Sequence, residues 1–158
     1  MPTMRGEWNK RYLDLARTVS SWSKDPSKKI GAIAVGTKGQ VLAQGYNGFP
    51  RGISHSSKRL KDRDLKYKYV VHAEMNLIYN ASYNGVSLDD STVYVTGLPV
   101  CSECAKGLIQ VGVRQVIMPV QKDTPEKWKD SFEFTKELFE EAGVAWQFIL
   151  LSILLFPH

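Results

Sequence analysis

Between Ser91 and Val120 the chain reads Ser-Thr-Val-Tyr-Val-Thr, a loop, Cys-Ser-Glu-Cys-Ala-Lys-Gly-Leu-Ile-Gln-Val-Gly, then Val-Arg-Gln-Val-Ile-Met-Pro-Val. A short β-branched run, a helix-period run stopped by Gly112 and a second β-branched run constrain the fold more than any other feature. Strands this short must pair in a sheet, and a helix between them buries its apolar stripe by lying on that sheet. The rest of the chain repeats the alternation. Trp8, Tyr12, Leu15, Ala16, Val19 and Trp22 recur at helical spacing, and Asp25-Pro26 ends that helix. Two short strands flank the turn residues Gly36 to Gly39. A helix runs from His72 to a stop at Asn84-Gly85. Another begins with Thr124 as N-cap and Pro125 at its first position, and carries an apolar stripe of Trp128, Phe132, Leu138, Phe139 and Ala142. A buried strand follows from Val144. The order α-β-β-α-β-α-β-α-β predicts an α/β fold, one sheet between helices, with residues 1–158 as a single domain. The polar, basic stretch from Ser54 to Lys68 reads as a surface loop or a partly helical surface segment.

The 158 residues are 43% hydrophobic and 23% charged, a composition that excludes global disorder. The most apolar segment, Val144 to Phe156, is shorter than the about 20 residues a spanning helix needs and is interrupted by Gln147 and Ser152. It reads as a strand and an apolar tail that packs across a subunit interface or, alternatively, within the chain's own core, not as a membrane anchor, and the polar first ten residues lack a secretory pattern. Lysine and arginine exceed the acids by five, which favours an anionic partner. The two cysteines, Cys101 and Cys104, are too few for a secreted disulfide framework and point to metal or redox chemistry in a reducing compartment: the cytoplasm, or a host's cytoplasm if the chain is viral.

Two predicted helices begin with metal ligands, His72 on one and Cys101 and Cys104 on the other. Cysteines three apart share a helical face and can hold one ion. An imidazole and two thiolates make three ligands, one short of the tetrahedron that zinc prefers, and a catalytic site keeps that fourth position open. Glu74, two residues from His72, need not ligate. It is placed to take a proton from an acidified water and deliver it elsewhere. A thioredoxin-like pair would explain the cysteines and leave His72 and Glu74 without a role.

His72-Ala73-Glu74 with Cys101-Ser-Glu-Cys104 resembles the signature of zinc nucleobase deaminases, with Val100 inserted between Pro99 and Cys101. The resemblance extends to Ser-Lys-Asp-Pro-Ser-Lys-Lys-Ile-Gly, Gly-Tyr-Asn-Gly-Phe-Pro-Arg-Gly, Tyr-Lys-Tyr-Val-Val-His-Ala-Glu and Cys-Ala-Lys-Gly-Leu-Ile-Gln-Val-Gly-Val, and over residues 23–118 the chain is similar to the deoxycytidylate deaminase family. That likeness implies a three-layer α/β/α sandwich with a five-stranded mixed sheet, one zinc ion per subunit, and conversion of dCMP to dUMP and ammonia. Glu74 would carry protons to N3 of cytosine and then to the leaving amine. It implies that the Ala73 backbone holds the pyrimidine and Asn47 the sugar hydroxyl. It also implies a homohexamer activated by dCTP and inhibited by dTTP, with effector nucleotide and Mg²⁺ at the loop of Gly45, Tyr46, Gly48 and Phe49. Lys28 and Lys29, then Arg51, are the candidates for the 5′-phosphate, and Trp128 is either a stacking aromatic or core. Two alternatives share the metal motif: a tRNA adenosine or other polynucleotide deaminase, whose binding would fall steeply with salt, and a non-catalytic zinc-stabilised nucleotide sensor. The Gly-Tyr-Asn-Gly loop favours the mononucleotide and makes nucleic acid the weaker expectation.

Overall fold

The computed structural model describes residues 4–151. In chain order the elements are α1 (Met4–Ser20), β1 (Gly31–Val35), β2 (Val41–Tyr46), α2 (Ser57–Lys61), α3 (Arg63–Tyr69), α4 (Ala73–Tyr83), β3 (Thr92–Thr96), α5 (Ser102–Gln110), β4 (Gln115–Pro119), α6 (Glu126–Ala142) and β5 (Ala145–Ile149). The five strands form one sheet in the order β2-β1-β3-β4-β5. β1 is antiparallel to β2 and β3, while β3, β4 and β5 are parallel, so the sheet is mixed. Parallel neighbours need crossovers, and α5 and α6 supply them.

Alternate residues of the central strands face two separate cores. On one side Ile33, Val35, Tyr94 and Ile117 meet Leu13, Ala16 and Val19 of α1. On the other, Ala32, Val93, Val95 and Val116 meet Leu77 of α4, Leu108 of α5 and Phe132 and Phe139 of α6. Helices on both faces give the three-layer α/β/α sandwich. β1 and β3 are buried throughout because both of their faces are covered.

Three expectations change, and the basic stretch resolves to its helical form. The buried face of α1 is Leu13, Ala16 and Val19, with Asn9 at 7% exposure; Trp8, Leu15 and Trp22 are exposed. Asn9 turns inward because its Oδ1 accepts the buried Tyr94 hydroxyl at 2.6 Å, a polar pairing invisible to an apolar count. The basic loop is two short helices, each started by a side-chain cap: Ser56 accepts the Arg59 N–H, and Asp62 the Leu65 N–H. Pro125, not Thr124, is the N-cap of α6, without a side-chain capping bond, and within its stripe Ala142 is exposed while Thr135 is buried. β5 is an edge strand rather than a buried one, with Phe148 at 38% exposure. The apolar tail beyond Leu151 lies outside the described residues. Among the described residues no helix is long and apolar enough to cross a membrane.

Candidate active site

His72 and Cys101 occupy the same structural position on different helices. Each is the N-cap residue, in extended backbone, of α4 and α5, and neither side chain caps its own helix. Ser131 of α6 takes over that duty for α5, its hydroxyl accepting the Ser102 N–H at 3.0 Å, while Thr135 donates to the Val100 carbonyl at 2.9 Å. The inserted Val100 is fully buried and part of the core. At α4, Val71 exchanges two backbone hydrogen bonds with Gly48, of 2.8 and 3.1 Å. That short bridge fixes His72 beside the loop that follows β2.

Freed from capping, the side chains converge. His72 Nδ1 is 3.4 Å from Cys101 Sγ and 3.5 Å from Cys104 Sγ. All three ligand atoms lie within 4.8 Å of one another, and among the described residues this is the one such group of histidines, cysteines and acids. Tetrahedral zinc, about 2.3 Å from sulfur and about 2.0 Å from nitrogen, sets those ligands about 3.5 Å apart. The donor set fits the ion.

Charge inside the triad is unevenly shared. The Cys101 thiol is drawn down to about 4 by the hydrogen bond from Cys104, with His72 adding to the effect against the penalty of burial. Cys104, the donor in that bond, is pushed well above the ordinary thiol value. His72 is raised by its hydrogen bond to Cys101, against burial. Two thiols thus compete for one proton, which a divalent cation would displace. Glu74 sits in the first turn of α4 at 4% exposure. Burial, then the negative Cys101, raise its carboxyl to about 7. Such a carboxyl exchanges protons near neutral pH.

A cavity of about 240 Å³ opens over this centre, and His72, Glu74 and Cys101 line it. Of the other residues singled out from sequence, Lys28, Asn47 and Trp128 line it too. Asn47, at 4% exposure, accepts the Ile30 N–H and donates to the Lys28 carbonyl, both at 2.9 Å, so it holds the cleft wall in shape. Trp128 meets His72 edge-on, ring centroids 6.2 Å apart, and is partly buried against the core, the packing role that its helical stripe predicts. Ala73, in the first turn of α4 between His72 and Glu74, is wholly buried and is not among the residues that line the cleft.

Two phosphate candidates are not brought to the cleft. The Lys29 ammonium donates to the Ser23 carbonyl. Arg51 donates to Asn80 Oδ1 and lies over the Tyr83 ring, beside a separate surface cavity. Of the expected effector loop, Gly45 and Tyr46 are the last residues of β2, Gly45 packs directly against α4, and Phe49 stacks on His55 with ring planes 4° apart. Sequence reasoning missed Lys66 and Arg63, which α3 delivers to the cleft. The capping residues Ser56 and Asp62 are the signal that would have revealed those helices.

Comparison with known proteins agrees with this geometry. The model of the cytidine and deoxycytidylate deaminase zinc-binding region matches residues 6–120. The chain is 35% identical over 152 residues to an uncharacterised deaminase encoded in the luxG 3′ region of Aliivibrio fischeri, covering 96% of this chain and 99% of that one. It is 37% identical over 148 residues to the deoxycytidylate deaminase of Mus musculus, covering 89% and 79%. Its fold superposes on the dCMP deaminase of cyanophage S-TIM5, solved in complex with dCMP and dUMP, with a TM-score of 0.74 at 26% identity, covering 93% of this chain and all of that one. A family match over most of its length, on the same residues that assemble the triad and Glu74, means that this chain belongs to the zinc-binding cytidine and deoxycytidylate deaminase family of enzymes.

Proposed function

We propose that the chain hydrolyses dCMP to dUMP and ammonia. The observation that carries this reading is the buried Glu74 carboxyl at the floor of the cleft, beside a His72–Cys101–Cys104 ligand set that fits zinc. The likeness to named deoxycytidylate deaminases over most of the chain supports the choice of substrate.

When bound by His72, Cys101 and Cys104, zinc supplies a Lewis acid that makes a water molecule acidic near neutral pH. Glu74 takes the proton released as water adds to C4 of cytosine and passes it to N3. The same carboxyl then takes the proton of the new C4 hydroxyl and delivers it to the amine; the C4–N bond breaks as the C4 carbonyl forms, and ammonia leaves. One water enters and one ammonia departs, so the atoms balance. The Ala73 backbone and Asn47 hold the pyrimidine and the sugar hydroxyl, Trp128 walls the base, and Lys28 stands at the rim.

The regulatory part of the reading is activation by dCTP and inhibition by dTTP, with Mg²⁺ on the effector phosphates, in a homohexamer that supplies dUMP for thymidylate synthesis. Its support is the resemblance of the Gly45–Phe49 loop and a surface cavity of about 450 Å³ bordered by Tyr46. The deciding experiment measures ammonia release by zinc-loaded protein from dCMP, deoxycytidine and a tRNA anticodon stem, each with and without dCTP or dTTP. Preference for dCMP supports the proposal. Turnover of RNA alone overturns the substrate while leaving the metal centre intact.

A further inference from the structure

Lys66 is a lysine at 7% exposure in the wall of the cleft. Lysine is rarely so buried unless its charge is matched. Its Nζ lies 3.1 Å from Asp25 Oδ1 and 3.3 Å from Ser27 Oγ. Asp25 is itself at 8% exposure, and the same Oδ1 already accepts the backbone N–H groups of Ser27 at 2.8 Å and Lys28 at 3.2 Å. The ammonium therefore joins an oxygen that two other donors satisfy.

Resting on the nucleotide reading above, we propose that Lys66 is the residue by which the cleft recognises the 5′-phosphate, and so separates nucleotide from nucleoside. An ammonium has three N–H donors, and two are spent on Asp25 and Ser27. The third is available to a ligand. The Ser27 hydroxyl, accepting from Lys66, keeps its own proton to donate to the same anion. Cytosine and deoxyribose carry no charge at neutral pH, so the phosphate is the one part of the substrate that calls for a cation. Lys28 and Arg63 also border the cleft, but both are exposed, and solvent and salt screen their charge. Lys66 is sheltered and held in position by its partners before any ligand arrives, which lowers the ordering cost of binding.

The alternative role is purely structural: Lys66 as a clamp between α3 and the Asp25–Lys28 turn. Steady-state kinetics of the zinc-loaded protein on dCMP and deoxycytidine separates the two. The readout is the ratio of their kcat/KM values in wild type, in Lys66→Met, and in the double variant Asp25→Asn with Lys66→Met. The double variant leaves no unpaired buried charge, and so answers the question if the single variant does not fold. We expect the ratio to fall at least tenfold in whichever variants fold, chiefly through a higher KM for dCMP. A clamp would lower both substrates together, and an unmoved ratio overturns the proposal. A wild type with no preference for dCMP would instead overturn the nucleotide reading on which it rests.

Discussion

A Cβ built on Gly45 would stand 2.4 Å from the Ala73 carbonyl oxygen and 2.3 Å from the Leu77 amide nitrogen. β2 therefore touches the first turn of α4 backbone to backbone, at the turn that carries Glu74. Gly45→Ala must push that helix away, and overpacking of this kind costs about 1–3 kcal/mol. Gly48, three residues on, has only ordinary contacts waiting, with His55 Nε2 at 3.8 Å. Thermal unfolding should show a clear loss for Gly45→Ala and a change within about 0.5 kcal/mol for Gly48→Ala. Equal losses would mean that the close approach is not what selects glycine.

Glu74→Gln keeps the shape of the side chain and removes its proton chemistry. Loss of general acid–base catalysis costs about 10²–10⁴-fold in kcat. Zinc content should stay near that of wild type, because Glu74 is not in the ligand triad. Metal analysis beside the kinetics separates this from loss of the ion, and full activity would remove Glu74 from the mechanism.

The same variant reads out burial in metal-free protein. The Glu74 carboxyl is raised from 4.5 to about 7 in the fold. A raised carboxyl contributes fully below the unfolded value, and its contribution is lost as pH rises through the folded one. Metal-free wild type should therefore lose stability relative to metal-free Glu74→Gln between pH 4.5 and 7, by about 3 kcal/mol at most. Denaturant titrations at pH 5 and pH 8 give the difference, and a gap that narrows with pH contradicts the sign.

Chelation should lower the melting temperature, since an ion held by His72, Cys101 and Cys104 would tie the N-terminus of α4 to that of α5. Cys104→Ser, which leaves two of the three ligands, should bind zinc far more weakly and lose the response to chelator. A variant still stabilised by zinc to the wild-type extent would place the metal elsewhere.

Asn47→Ala leaves the Ile30 N–H and the Lys28 carbonyl without their partner. Both bonds are part-buried, and each one lost costs about 0.5–1.5 kcal/mol. Because those groups shape the cleft wall, KM for dCMP should rise along with the loss of stability. An unchanged KM in folded protein would restrict Asn47 to holding the backbone.

Local chemistry wrote some of this protein plainly into its sequence. β-branched runs, glycine stops and the cysteine pair at helical spacing specify five strands, the major helices and the shared helical face of Cys101 and Cys104, because each depends on neighbours within a turn or a strand. Those features were legible for that reason, whereas His72, 29 residues before Cys101, joins the pair only through the fold. The rest depends on groups distant in sequence. Asn9 is buried because Tyr94 is there to meet it, β5 is exposed because it falls at the sheet edge, and Lys29 and Arg51 are held away from the cleft by Ser23 and Asn80. Lys66 comes to the cleft because Asp25, 41 residues earlier, offers a buried carboxylate. A buried charge or amide goes where its partner is, and only the tertiary structure brings such partners together.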